Sequence, residues 1–341
     1  MLIGSPATIT ADMEIALPVN LAEDFTPVLH QRHSPLLLTL PVTTYDRCFV
    51  THSGIGFTRL RPITESLYPN VTGQIRSRFY RHAVREYFTA PRIVSRRPQL
   101  LLVHNHWSGG YHHWIADCLV KLREVDPSRY IVVLPEDYPA FALQSLSKFP
   151  FQGIFGLPPA YGLSATNLTA VGNPYVSRYN PGHIRWLRDS LVSQRALDRT
   201  AADRLYVTRR HASRRRVANE DEVVALLARY DFTVVDSARL NFSTEVETFA
   251  RCRALVSLHG AGLTNCVFMP PGGDVLELCR HMGAKTGEIN TTYWHLSVAA
   301  GHNYYYQFCR PLRGHGGVPN DADVLVDVAR LERNVRAMLR V

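Results

Sequence analysis

Three short stretches of this chain gather the residue types that hold anions and move protons. TRRHASRRR (208–216) sets Arg209, Arg210, Arg214 and Arg215 between an apolar run and a helical one. The planar fork of arginine matches phosphate oxygens two at a time, so a diphosphate is the natural guest of such a loop. HGAGLTN (259–265) follows the apolar run ALVSL. Gly260 and Gly262 let the backbone come close to a ligand. The turn after them opens a helix whose unpaired N–H groups attract phosphate. His259, at the end of a predicted buried strand, is placed to hydrogen-bond a phosphate oxygen. GGDVLEL then puts Glu277 on a strand, where its carboxylate can accept both hydroxyls of a ribose. In the first half, NHWSGGYHHWIAD (105–117) carries His113 and Asp117 four residues apart. On a predicted helix they share a face. Either Asp117 takes the proton from an acceptor hydroxyl, or it orients His113 to do so.

Each stretch also has a plainer reading. A basic run is commonly a solvated surface or a nucleic-acid patch. The glycines can serve a tight strand–helix turn beside a core histidine, Glu277 a structural salt bridge, and His113–Asp117 simple helix support. His104, His106 and His112 form HxH and HHxxxD spacings that a metal could use, but no glutamate follows as in HExxH. No metal is expected. GxGxxG and GxxxxGK[ST] are both missing, so neither a dinucleotide fingerprint nor a P-loop applies.

The elements that must position these residues read as α/β. QLLLVH (99–104), a helix over 111–125 and YIVVLP (130–135) make a βαβ unit. RSRFYRHAVREYF (76–88) has helical spacing of aromatics. Residues 150–182 are rich in Pro, Gly and Asn and suggest a domain boundary. The second half opens with an amphipathic helix (182–197). RLYVT, FTVVD, ALVSL and DVLEL then read as strands, alternating with helices over 219–230, 243–252 and from about Gly262. Asn219 at N-cap and Glu222 at N3 predict a capping box. NYYYQF (303–308) reads as a further strand. The expected organisation is an N-terminal domain (1–165), a C-terminal domain (166–320) and a closing helix (321–341). Two Rossmann-like domains facing each other across a cleft would place ligands at the strand ends.

Bulk properties agree with a two-domain globular protein. The chain has 341 residues, 46% hydrophobic and 20% charged, with a net charge of +9. Its only lysines are Lys121, Lys148 and Lys285. The arginine bias suits phosphate recognition but follows equally from a GC-rich genome. The six cysteines form no CxxC and no zinc spacing, so reduced thiols and a cytoplasmic location are expected. The N-terminus does not read as a signal peptide, and no stretch is long and apolar enough to span a bilayer. A peripheral contact with the inner membrane, or with a lipid-linked acceptor, is open to the basic surface.

The segments LYVTRR…RRRVANEDEV, DFTVV and LVSLHGAGLTNCVFMPPGGDVLEL, with the weaker YHHWIAD, resemble glycosyltransferase family 61 over roughly residues 100–310. The resemblance implies a GT-B fold and an inverting, metal-independent transferase. Its nucleotide-sugar site would lie in the C-terminal domain. It would put Arg209, Arg214 and Arg215 on the diphosphate. His259, Gly260, Ala261, Gly262, Leu263, Thr264 and Asn265 would line the donor site, Glu277 would meet the ribose, and Asp117 would match the family's first-half aspartate. Thr244 and Glu245 stand where the family has Glu-Gln, and Asp231 where it has Gly. The expected enzyme is a hexosyl- or pentosyltransferase using a nucleotide-diphosphate sugar, UDP foremost. Its acceptor would be a glycan or lipid-linked glycan hydroxyl in polysaccharide biosynthesis, with no nucleic-acid partner. Tyr293, Trp294 and His295 are candidates for sugar choice. A nucleotide-sugar hydrolase or epimerase of the same fold, or a basic nucleic-acid-binding protein, are the alternatives.

Overall fold

The structure is a computed structural model that describes residues 15–22, 24–25, 29, 39–67, 78–174, 178–193, 203–280, 290–312 and 322–341. The chain forms two compact units. The first is built from Leu37–Val176, and the second from Ser177–Val341 together with the segment Ala11–Leu36. The division falls downstream of the expected 165/166. In the N-terminal segment, Ile15 and Phe25 are buried against Trp294, Tyr304, Tyr306 and Phe308. That aromatic burial ties the segment to the second unit.

The first unit holds β1 (Val42–Val50), β2 (Gly56–Thr58), β3 (Arg61–Pro62), α1 (Arg78–Thr89), β4 (Arg92–Ser95) and β5 (Leu100–Leu102). A helical segment from Tyr111 to Glu124 follows, here called α2. Then come β6 (Ile131–Pro135), α3 (Ala140–Leu146), β7 (Gly153–Leu157) and β8 (Gly162–Val171). The sheet runs β3-β2-β1-β8-β5-β6-β7, and β4 also pairs with β8. β5, β6 and β7 pair in parallel, whereas β1 pairs antiparallel with both β2 and β8. The unit is therefore a mixed sheet. Its N-terminal part follows from short runs broken by Gly and Pro, which close as tight antiparallel connections. The Pro-, Gly- and Asn-rich stretch 150–182, expected to be a boundary, spans the division after Val176 but also contains β8, which lies at the centre of the sheet with Leu163, Leu168 and Val171 buried. Residues 76 and 77 of the expected first helix lie outside the described residues.

The second unit contains α4 (Pro181–Leu191), β9 (Asp203–Val207), α5 (Glu220–Ala228), β10 (Phe232–Val235), α6 (Phe242–Phe249) and β11 (Cys252–Leu258). A 3-10 helix over Ala261–Phe268 leads to β12 (Asp274–Arg280), α7 (Thr292–Ala299), β13 (Asn303–Pro311), β14 (Val324–Leu325) and α8 (Val328–Leu339). Residues 194–197 of the expected opening helix lie outside the described residues. The strand order is β10-β9-β11-β12-β13-β14, with β9 to β13 pairing in parallel and β14 antiparallel at the edge. Read from its first strand, the parallel part has the order 2-1-3-4-5. Such a sheet binds ligands beyond the strand ends where the order reverses, here between β9 and β11. α8 closes this unit by burying Leu331, Val335 and Met338 among Leu226, Leu276 and Tyr305.

The predicted capping box does not form. The Asn219 amide instead exchanges two hydrogen bonds with the backbone of Val326, at 2.9 and 3.0 Å. All six cysteines are free and buried. Among the described residues, no helix is long and apolar enough to cross a membrane.

Candidate functional site

The two strands at the order reversal end on the residues that the sequence singled out. β9 runs out at Val207 into Thr208, Arg209 and Arg210, and β11 ends at Leu258 before His259. The turn 259–262 passes so close to β9 that neither glycine can carry a side chain unopposed. A Cβ at Gly262 would lie 2.7 Å from Cγ1 of Val207, and one at Gly260 would collide with the Arg209 guanidinium. Arg209 is braced from the other side. Its Nε donates to the carbonyl of Arg215 at 2.9 Å, and its Nη2 to that of Arg214 at 3.3 Å. The loop turns at Arg215, which adopts a left-handed φ of 58°. Burial pushes the pKa of Arg209 down, and the Arg215 charge pushes the same way. Desolvated like charges in one place favour an anion as their counterpart.

His259 is half-buried, and its Nδ1 meets Oε1 of Glu277. The other oxygen of Glu277 accepts from the Tyr304 hydroxyl at 2.7 Å. Glu277 is fully buried. A carboxylate with both oxygens engaged inside the sheet is not presented to a ribose. Its structural place is to hold the His259 ring through Nδ1, which donates to the carboxylate. Tyr293, buried on α7, sits 5.0 Å from the His259 ring, and burial raises its pKa. Trp294 and His295 instead belong to the interior: the Trp294 indole donates to the carbonyl of Ala16, and His295 Nδ1 lies 2.8 Å from that of Thr291.

Within HGAGLTN the accessible part is His259, Ala261 and Gly262. Leu263, Thr264 and Asn265 are buried. Asn265 donates to Glu245 at 2.7 Å, locking the 3-10 helix to α6. One organising residue was missed by sequence reasoning. Glu220, buried in the first turn of α5, accepts from Tyr206, Thr208 and Arg210 at 2.8, 2.7 and 3.3 Å. It gathers the end of β9 from beneath. An acidic residue in the first turn of a helix that follows a Thr-Arg-Arg strand end is the signal that could have found it.

The first unit holds a second histidine–carboxylate pair. Nδ1 of His113 lies 2.7 Å from Oδ2 of Asp117, with Asp117 buried and His113 half-buried. The expected regular helix is broken here. Tyr111–His113 is α-helical, Trp114–Cys118 is a π-turn, and Leu119–Glu124 is 3-10. Single π-turns inside helices are frequent at functional positions. Trp114 anchors the turn, its indole donating to Ser145 at 2.8 Å. One turn beyond Asp117 lies Lys121, wholly buried, with Nζ 3.5 Å from the carbonyl of Glu65. Burial lowers its pKa, opposed by Cys118, Asp117 and Glu65. Among the described residues, His112, His113 and Asp117 are the one group able to hold a metal ion, their ligand atoms all lying within 4.8 Å of one another.

Residues 111–276 match the family model Glycosyltransferase 61, a span from the start of α2 into β12. Among curated proteins, the chain is similar to an alpha-1,3-arabinosyltransferase, XAT3, of Oryza sativa subsp. japonica. That match is 36% identical over 80 residues, 22% of this chain and 13% of the relative. It is also similar to an EGF domain-specific O-linked N-acetylglucosamine transferase of Drosophila melanogaster. There the identity is 37% over 76 residues, 21% of this chain and 14% of the relative. The matched segment thus covers about a seventh of each relative's length. Residues 111–276, just under half of the chain, are thus a glycosyltransferase family 61 domain.

Proposed function

We propose that the protein transfers a glycosyl group from a nucleotide-diphosphate sugar, UDP foremost, to a hydroxyl of a glycan or lipid-linked glycan acceptor. The observation that carries this reading is the desolvated Arg209 guanidinium packed on Gly260 at the strand-order reversal, beside the His259–Glu277 pair. There a diphosphate would meet Arg209, Arg214, Arg215, Nε2 of His259 and the backbone amides of the 259–262 turn. These groups would stabilise the charge that grows on the leaving diphosphate, with no divalent ion required.

His113 is the proposed base. Asp117 holds Nδ1–H, so Nε2 takes the proton of the acceptor hydroxyl while the carboxylate stabilises the resulting imidazolium. The hydroxyl oxygen attacks C1 on the face opposite the diphosphate, which inverts the anomeric centre. The GT-B architecture, a role in polysaccharide biosynthesis and a cytoplasmic location belong to the same proposal.

The deciding experiment is a thermal-shift panel of UDP, GDP, CDP and CMP with their sugars, run with and without EDTA. A ligand that binds the native state raises its apparent stability. UDP and one UDP-sugar should stabilise the protein in both buffers. Stabilisation by none of them, or only with a divalent ion, would overturn the donor site as drawn. Product analysis then separates transfer from hydrolysis, which gives free sugar, and from epimerisation, which gives an altered nucleotide sugar.

A further inference from the structure

The loop leading into the His113–Asp117 pair carries an aromatic surface that proton transfer does not use. Trp107 is 43% exposed, and Phe79, at the start of α1, is 47% exposed. Their ring centroids lie 6.1 Å apart. His106 sits between them, 5.5 Å from Phe79 and 6.0 Å from Trp107. Trp107 in turn lies 5.7 Å from the ring of His113. The surface is rigidly mounted. The amide of Trp107 donates to the Asn105 side chain at 2.9 Å, and its carbonyl accepts from Gly110 at 3.0 Å. Buried Ser108 joins the loop to Tyr138 at 2.6 Å. Burial, then the charge of His113, pushes the pKa of His106 down to about 4, so that ring stays neutral at physiological pH.

An exposed indole held by buried polar groups is preorganised for a ligand with one apolar face and a polar rim. A pyranose has that form. Its ring C–H groups, polarised by neighbouring oxygens, pack on the electron-rich aromatic face while its hydroxyls stay hydrated. Resting on the transferase reading, we propose that Trp107 and Phe79 form an acceptor subsite that stacks a pyranose ring of a neutral glycan beside His113. The stacked ring is the one that presents its hydroxyl to Nε2 of His113, or its immediate neighbour.

The test is a tryptophan-emission titration of the full chain with methyl pyranosides and short oligomers of xylose, glucose and N-acetylglucosamine. Trp114 and Trp294 are fully buried and Trp186 is half-buried, so the titration is repeated in a Trp186→Phe background, where Trp107 dominates any response to a surface ligand. At least one saccharide should change the emission saturably, and Trp107→Ala should abolish the change. With that saccharide as acceptor, Trp107→Ala should raise the acceptor KM about tenfold, with Trp107→Phe partly restoring it. The thermal shift with UDP should be unaltered. The subsite is overturned if no saccharide of the panel perturbs the emission, or if the variant keeps its acceptor KM. It is equally overturned if uridine, rather than a sugar, quenches Trp107. Wild-type protein that binds saccharide through Trp107 yet never releases UDP from a UDP-sugar would defeat the transferase reading and leave the subsite standing.

Discussion

The guanidinium of Arg209 lies against the backbone of Gly260, so the ends of β9 and β11 meet through a cation and a bare Cα. The contact explains the glycine without recourse to backbone strain, because Gly260 is extended at φ 161°. Gly260→Ala is therefore expected to fold. Its methyl would push aside the far end of a flexible side chain, at little cost in stability, but it would displace the cation from the strand ends. UDP affinity should fall by tenfold or more, about the loss expected for Arg209→Ala. Gly262→Ala should behave in the opposite way. Its methyl meets the buried side chain of Val207, and overpacking of that kind costs about 1–3 kcal/mol of stability. Urea unfolding and UDP titration of the two variants check the contrast. Equal effects on both quantities would remove the distinction between a ligand-site glycine and a packing glycine.

Glu277 offers a test of the His259 arrangement. Glu277→Gln keeps the shape and can still accept from His259 or Tyr304, but removes the charge that holds the imidazole. Turnover should fall by about 10²–10³-fold if His259 stabilises the leaving group, with the circular-dichroism spectrum unchanged. Tyr304→Phe, which leaves one carboxylate oxygen without its donor, should cost less in turnover and about 1–3 kcal/mol in stability. A Glu277→Gln enzyme of normal turnover would return Glu277 to a purely structural role.

The α/β alternation of the second unit was legible because its strands are short apolar runs ending in Arg, His or Gly, and the strand-end rule then located Arg209 and His259. The first unit was harder to read. β8 carries Gly, Ser, Asn and Thr among its apolar residues, and its central position comes from pairing with β1, β4 and β5, which no local window records. The π-turn at Trp114–Cys118 is likewise invisible to a 3.6-residue period. Glu277 and Asn265 were read as ligand-facing, but position on a strand or in a turn does not reveal burial, and both are engaged inside. Asp231, which stands where the family has glycine, adopts φ 58°, the left-handed conformation that glycine enters without strain. The departure in sequence is thus a small local strain with the turn itself preserved.

With His113 as the proposed base, substitutions in the His113–Asp117 pair separate chemistry from binding. His113→Ala should lower kcat by about 10²–10⁴-fold while leaving the thermal shift with UDP intact. Asp117→Asn keeps the contact but favours the tautomer with Nδ1 as acceptor, so its loss should approach that of His113→Ala. Single-turnover transfer with a saturating UDP-sugar reads both. If Asp117→Asn is inactive and His113→Ala is nearly normal, the roles are reversed and Asp117 itself takes the proton. Addition of EDTA should leave the wild-type rate unchanged. A rate that collapses and returns with a divalent ion would instead point to the His112, His113 and Asp117 cluster as ligands.

Buried imidazoles give the protein a predicted acid sensitivity. Burial, then the charge of Lys121, pushes the pKa of His104 down to about 3, and burial is the first cause holding His302 at about 4. Unfolded histidines titrate near about 6.5. Between about pH 6.5 and those lower values the unfolded chain binds protons that the native one refuses, so stability rises with pH across that window. The contribution is fully present above about pH 6.5 and is lost as pH falls toward 4. The urea midpoint should therefore drop between pH 7 and 5, above the range in which ordinary carboxylates protonate. His302 isolates the effect. Its Nε2 lies 2.8 Å from the carbonyl of Cys266, and a Cβ added at Gly273 would meet its Nδ1 at 3.2 Å. His302→Gln retains a donor toward Cys266 and cannot titrate, so the pH dependence should shrink in that variant. An unchanged slope would assign the acid sensitivity to other groups.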